Sequence, residues 1–223
     1  MMDLKRFVNA PPLTPYAPRW DFTIANTLIE DIDLEKLTDT ILKKERGIKK
    51  IKLSYDDKGR VFDGQTGLGK NSTTSRSNSY NLLSWDTEET NKLKQKILEG
   101  VLLYNQALDN PVPPELWVQC WVNVMRFGQR IKPHLHCVEP QTYLSGHFIV
   151  QCKKSSTVYI SPANQINDPY EITYENSPGS MTIFPSYIPH YTTTHYSFTP
   201  RISIAFDVGL VKEKDHFIKL RGT

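Results

Sequence analysis

Cysteine is scarce in this chain of 223 residues: Cys120, Cys137 and Cys152 are the whole complement, with no Cys-x-x-Cys spacing. An odd count without that spacing excludes a disulfide framework and points to no thiolate zinc site. Cys120 and Cys152 fall in apolar stretches and read as small core residues, whereas Cys137 directly follows a histidine. Net charge is lacking too. The formal value is +3, and the lysines are spread through polar helical segments instead of forming one block, which disfavours a charge-driven nucleic-acid binder. No apolar run approaches the roughly 20 residues of a membrane span, and the charged start Met1-Met2-Asp3-Leu4-Lys5-Arg6 leads into no apolar signal core. The expectation is a soluble, cytoplasmic protein.

What is present is enough for a sizeable core, with 39% hydrophobic and 11% aromatic residues. We read one structural domain in two parts, an N-terminal elaboration over 1–115 and a core over 116–223. Pro11, Pro12, Pro15 and Pro18 around Tyr16 and Trp20 make residues 1–20 an extended arm. A first helix begins near Asp31 or Asp33 as N-cap, carries Leu34, Leu37, Ile41 and Leu42 on one face, and has Gly47 as its terminator. Residues 56–80 are rich in Gly, Ser, Thr, Asn and Asp. Within them Gly64-x4-Gly69-Lys70 imitates a phosphate loop, but Asn71 stands where Ser or Thr would hold magnesium and no buried strand leads in. Nucleotide binding is therefore disfavoured. So long a loop is uncommon without a role, and it should either order over an active site or stay partly mobile. Asp86-Thr87-Glu88-Glu89 reads as a capping box with Asp86 as N-cap. The helix it opens carries Leu93, Ile97, Val101, Tyr104 and Leu108, fades at Asp109-Asn110-Pro111, and would cover one face of a sheet.

After Pro113-Pro114 the period becomes extended. A strand from Leu116 to Arg126 is apolar on both faces, and Asn123 interrupts one of them, where a buried amide needs a partner or a ligand. Further strands are expected over 142–152, 157–160, 170–174, 180–184 and 201–208. A loop with Asn164, Asn167, Asp168 and Pro169 lies among them, and the charged residues 211–223 should end on the surface. Short strands divided by turns, with no helices between, predict a mainly β fold under a helical N-terminal cover: an antiparallel jelly roll.

The chemistry is concentrated in Lys132-Pro133-His134-Leu135-His136, Phe184-Pro185-Ser186-Tyr187-Ile188-Pro189-His190 and Arg201-Ile202-Ser203-Ile204-Ala205-Phe206. His134 and His136, two apart on extended chain, project from one face. Two imidazoles from one segment and His190 from a distant strand end form a facial set that leaves coordination positions open on iron, copper, nickel or zinc. Arg201 opens an apolar strand, and its planar fork suits one end of a dicarboxylate whose other end chelates the metal.

With these motifs, residues 117–208 resemble the double-stranded β-helix (jelly-roll) core of the 2-oxoglutarate- and Fe(II)-dependent oxygenases, near their prolyl-hydroxylase-like branch. Within it they are most like uncharacterised members from bacteria and marine phages. The motifs that carry the resemblance are Trp121-Val122-Asn123, His134-Leu135-His136, Leu144-Ser145-Gly146, Phe184-Pro185-Ser186 with His190, and Arg201-Ile202-Ser203. Asn71 to Arg76 and Tyr80-Asn81-Leu82-Leu83 add to it.

The resemblance implies an enzyme that binds Fe(II) through His134, His136 and His190 and holds the far carboxylate of 2-oxoglutarate with Arg201. It would consume O2, release succinate and CO2, and hydroxylate its substrate. Tyr143, Asn123 and Ser203 are further candidates for contact with the cosubstrate. The family's usual pattern is His-x-Asp/Glu with a distal His, so His136 stands where a carboxylate is expected and the site is one negative charge short. Glu139 as the carboxylate ligand, with His136 behind it, is the alternative. His147 and His195 read as structural.

Two other functions are weighed against this one. A three-histidine cupin-type dioxygenase would need no 2-oxoglutarate, and Arg201 argues against it; a non-catalytic jelly-roll binding or structural module would carry a vestigial site. The partner is a small molecule or a peptide; nucleic acid and membrane are disfavoured and a homodimer is left open. A phage-encoded chain would work in the host cytoplasm. Arg126, Arg130 and Lys132 could surround the mouth and favour an acidic partner.

Overall fold

Alternation of large apolar with small or polar residues through the second half of the chain builds two antiparallel sheets in the computed structural model. It describes residues 1–8, 13–16, 21–53, 55, 58–61, 63, 65–141, 143–163 and 170–222. The strands are β1 (Asp3–Val8), β2 (Asp21–Leu28), β3 (Leu116–Met125), β4 (Leu144–Gln151), β5 (Ser156–Ile160), β6 (Glu171–Glu175), β7 (Ser180–Pro185), β8 (His190–Thr192), β9 (Arg201–Gly209) and β10 (Ile218–Arg221). The larger sheet runs β1-β2-β7-β4-β9-β3-β10 and the smaller β6-β5-β8. Strands adjacent in space and distant in sequence are the jelly-roll signature, and the fold is the expected double-stranded β-helix.

Two helices, α1 (Leu34–Ile48) and α2 (Glu88–Ala107), supply the cover. Leu37, Ile41, Leu93, Ile97 and Val101 share a buried cluster with Val118, Val122, Phe148, Met181, Ile183 and Ile204. α2 lies close on β7: a Cβ on Gly100 would stand 2.7 Å from Met181 Cε and 2.8 Å from Ile183 Cδ1. A smaller cluster of Phe7, Ile24, Tyr159, Ile172, Tyr174, Phe184 and Ile188 draws on both sheets.

Both helix ends differ from the sequence reading by small, explicable amounts. Asp33 does cap α1, accepting from Lys36 N–H, but Gly47 is helical and Lys49 is the C-cap, because the Lys49 N–H still reaches Glu45 O. Leu42 is exposed, and Glu45 occupies the buried face in its stead. In α2 the cap is Thr87, in a reciprocal pair with Thr90; Asp86 precedes it at φ 52° and accepts from Asn91 Nδ2. A hydroxyl one residue later satisfies the same orphan N–H groups.

Two larger corrections concern the ends of the chain. The extended arm belongs to the main sheet: β1 pairs with β2, and β2 pairs with β7, so these strands widen it. The C-terminal residues return as β10 along β3, with Leu220 buried; β9 lies inside the sheet between β4 and β3 and does not close it. The expectations for Pro11, Pro12, Pro18, Trp20, Asp56, Gly64, Thr142 and the loop from Asn164 to Pro169 fall outside the described residues.

The segment before α2 completes the frame of the cavity. β10 pairs with β3 only as far as Val118, and beyond it the edge of β3 would expose unpaired backbone groups. Side chains take the place of a strand there. Asn81 Nδ2 donates to Val118 O, Cys120 N–H donates to Asn81 Oδ1, Val122 N–H donates to Tyr80 Oη, and Thr73 Oγ1 donates to Val122 O. The short 3-10 helix Thr74–Ser79 is thereby fixed against β3, and its described portion orders over the cavity.

Candidate metal and anion site

The cavity has a volume of about 280 Å³ and opens from the inner face of the main sheet. β3 gives it Gln119, Trp121 and Asn123, and β9 gives Arg201, Ser203, Ala205 and Asp207, the alternate residues of each strand. The opposite residues of these strands, among them Val118, Val122, Ile202, Ile204 and Phe206, enter the core under the helices.

Backbone stitching brings the three histidines together. His134 N–H donates to His190 O (3.0 Å) and His190 N–H to His134 O (2.9 Å), while His136 N–H donates to Ser186 O (2.9 Å). The extended loop is thus laced to the segment entering β8, and residues more than fifty positions apart face one another. Ring centroids lie 4.4 Å apart for His134 and His190, 5.2 Å for His136 and His190, and 5.5 Å for His134 and His136. One ring nitrogen from each lies within 4.8 Å of the others, and among the described residues this is the group able to hold a metal ion.

Each ring is oriented through its Nδ1. That atom is 2.9 Å from Lys132 O in His134, 3.0 Å from Ile188 O in His190, and 2.5 Å from Asp207 Oδ1 in His136. Carbonyl and carboxylate oxygens only accept, so Nδ1 is the donor in all three and Nε2 is the ring nitrogen left for a metal. Burial, reinforced by the other histidines, lowers His134 to about 4 and pushes His190 well below the usual imidazole value. Three imidazole donors at one point suit a borderline divalent metal such as Fe(II).

At the other end of the cavity Arg201 is 1% exposed. Its Nε donates to Ser155 Oγ (3.1 Å), its Nη1 to Ser203 Oγ (3.0 Å), and Met125 Sδ lies 3.9 Å from that nitrogen. No carboxylate among the described residues pairs with it. Burial draws its pKa below the ordinary guanidinium value, yet arginine stays charged. A buried cation facing a cavity without a counter-charge is a place for an anion, and its planar fork suits a carboxylate.

The remaining candidates fall in different places. Asn123 is buried; its Oδ1 accepts from Thr74 Oγ1 and its Nδ2 is left to the cavity. Ser203 holds Arg201. The Tyr143 hydroxyl accepts from Asn105 Nδ2 of α2 (2.9 Å), and the residue packs against the helix-side core while also lining this cavity. Glu139 is exposed on the rim, accepting from Gln141 Nε2, and lies outside the metal-capable group. Arg126, Arg130 and Lys132 do not line the cavity. Arg126 instead makes a two-pronged ion pair with Glu45, and the charged lining residues are Asp63, Glu139, Asp207, Glu213, Lys214 and Arg201. Cys152 is half-buried beside Ser155 in the turn after β4, so it is not a core residue; Cys120 is one.

Two neighbours of the site, Tyr159 and Asp207, escaped the sequence reading, and a third, His147, was read there as structural. His147 lines the cavity from β4, 8% exposed, its pKa pushed down to about 3 by burial and by Arg201. The buried Tyr159 ring lies 5.7 Å from that of His190. Asp207 was legible in principle, since it follows Arg201, Ser203 and Ala205 in the same alternation, whereas nothing in sequence pairs Tyr159 with the site.

Residues 119–207 match a protein-family model described as "Putative 2OG-Fe(II) oxygenase". No curated protein matches the chain. Among solved structures it is similar to a prolyl-4-hydroxylase of Pseudomonas putida, with TM-score 0.50, 11% identity, and 83% of this chain and 91% of that one covered. It is also similar to the non-heme alpha-ketoglutarate-dependent epimerase SnoN of nogalamycin biosynthesis (TM-score 0.54, 10% identity, 90% and 92% covered). A third is the apo non-heme monooxygenase ThoJ (TM-score 0.57, 10% identity, 88% and 80% covered). At such identities these structures establish the shared fold.

Proposed function

We infer that the chain is a 2OG-Fe(II) oxygenase, the family whose model its residues 119–207 match, and that it hydroxylates its substrate at the three-histidine site. The observation that carries this reading is that one cavity is lined both by His134, His136 and His190 and by the buried Arg201, which no carboxylate among the described residues pairs with. The SnoN structure solved with Fe3+ and alpha-ketoglutarate shows that this fold can hold both groups in that protein. Here the imidazole Nε2 atoms would hold Fe(II), and Arg201 with Ser203 would hold the distal carboxylate of 2-oxoglutarate. Bound together with O2, these groups would supply the oxidising chemistry, with succinate and CO2 as coproducts.

The chain's own contributions are orientation and dryness. Lys132 O, Ile188 O and Asp207 fix the imidazole rings, so that binding a metal requires little reorganisation. Trp121, its ring 5.5 Å from that of His136, walls the metal end, and Thr74, Ser77 and Asn78 border the cavity from the ordered segment. The groove remains open toward Glu139, Glu213 and Lys214, where substrate would enter.

An anaerobic titration with Fe(II) and 2-oxoglutarate, followed in the visible for the charge-transfer band of a chelated 2-oxo acid, tests the proposal. The band should form in wild type, be lost in His136→Ala, and need roughly 100-fold more 2-oxoglutarate in Arg201→Ala, as expected for a lost charge-assisted, two-pronged contact. Metal uptake without the band would shift the reading to a three-histidine dioxygenase that binds substrate directly. Absence of saturable metal uptake would leave a binding module.

A further inference from the structure

The three-histidine set lacks the carboxylate that would offset a divalent charge, and the structure places one behind it. Asp207 Oδ1 is 2.5 Å from His136 Nδ1 and 2.6 Å from Ser145 Oγ, which is 2.7 Å from Ser186 Oγ. The carboxylate can only accept, so Ser145 donates to Asp207, and the same Ser145 hydroxyl is within donating reach of Ser186 Oγ. Strand register maintains the arrangement, with Asp207 opposite Gln119 on one side and Ser145 on the other. Ser186 is anchored in turn by its N–H to Tyr143 O, and its carbonyl accepts from His136 N–H. A closed set of contacts therefore joins the backbone of His136 to the carboxylate that holds its ring.

We propose that Asp207 is the positioning residue of the metal site, supplying through the His136 imidazole the negative charge that position 136 itself lacks. This inference rests on the oxygenase reading and deepens it. As the acceptor for Nδ1–H, a carboxylate does more than a backbone carbonyl can: it fixes the ring and raises the electron density at Nε2. His134 and His190 have only carbonyls at that place, so the negative charge enters through one ligand of the three. Direct ligation by Asp207 does not compete with this role, because its Oδ1 is engaged by His136 Nδ1 and Asp207 lies outside the metal-capable group of His134, His136 and His190. The site reproduces the charge of a two-histidine, one-carboxylate set with the carboxylate moved one imidazole outward.

The test is metal affinity of the full chain without 2-oxoglutarate, measured anaerobically with Fe(II) and, against a chromophoric chelator, with redox-silent Zn(II). Asp207→Asn keeps shape and a hydrogen-bonding oxygen but removes the charge, and should weaken both metals about 10- to 100-fold. In a His136→Asp background, where a carboxylate returns to the ligand position, adding Asp207→Asn should change affinity by no more than about threefold. Asp207→Glu should recover part of the loss in the wild-type background. Circular dichroism establishes that each variant is folded, and the ring 15N shifts of His136 report whether Nδ1 still carries the proton if affinities are affected by altered packing. Wild-type affinity in Asp207→Asn, or an equal loss in both backgrounds, overturns the assignment of Asp207 while leaving the oxygenase reading intact. A wild-type chain that takes up neither metal overturns both.

Discussion

In the proposed function Arg201 would serve binding at the expense of stability. A guanidinium buried to 1% exposure and met by two hydroxyls and a thioether, but by no anion, forfeits hydration that the fold does not return. Arg201→Met, similar in length and without charge, should therefore leave the ligand-free protein at least as stable as wild type, by roughly 1–3 kcal/mol in its favour. It should also abolish 2-oxoglutarate binding. Thermal melts with and without 2-oxoglutarate check both parts, and a ligand-free variant several degrees less stable than wild type would show that the cation is structural. The histidines illustrate the opposite economy, since every Nδ1 has an acceptor and no ligand ring is left to turn freely.

At the scale of elements, the site depends on β4, β7 and β9 lying in close register. Gly146 of β4 faces Ile183 on one side and Phe206 on the other. A Cβ there would stand 2.3 Å from Thr182 O and 2.3 Å from Phe206 Cζ, one of them backbone that cannot swing away. Gly146→Ala should accordingly cost about 3 kcal/mol, the upper range for overpacking a core. By moving β4 it should also disturb the Ser145 contact to Asp207, weakening metal binding beyond the loss of stability. Urea denaturation and a metal titration on the same sample measure the two effects, and an unchanged midpoint would show that the strands can separate without penalty.

For the whole molecule, buried neutral histidines couple stability to pH. His147 is lowered to about 3 and His134 to about 4, and His190 lies well below its usual value, in each case chiefly through burial. In the unfolded chain all three would titrate near 6.5, so below that pH the unfolded state binds more protons than the folded one. Stability of the metal-free protein should thus be full above about pH 6.5 and fall as pH drops toward 4, by up to ~1.4 kcal/mol per pH unit for each group. His147→Phe should flatten this dependence by one group. Denaturation midpoints from pH 7.5 to 4.5 decide the matter, and a profile flat over that range would exclude proton-linked burial. Among the described residues no helix is long and apolar enough to cross a membrane.

Sequence alone determined the class of the fold and the chemistry of its ends. Period-two alternation through 116–208, helical spacing through α2, and the change of period after Pro113-Pro114 are local patterns, and local patterns can be read without contacts. The i, i+2 histidines and the alternation from Arg201 likewise disclosed a common face. Other features waited for tertiary structure because they depend on which distant strands become neighbours. The pairing of β2 with β7 and of β10 with β3, and the side-chain edge built by Thr73, Tyr80 and Asn81, join segments that no spacing connects. The same holds for Arg126, drawn to Glu45 of α1 and away from the mouth, and for Tyr143, held by Asn105 of α2. Above all, the carboxylate missing from position 136 stands at Asp207, 71 residues later, because antiparallel register sets that strand beside Ser145. A charge can be listed from sequence, but the group it offsets is decided by distance, and distance belongs to the fold.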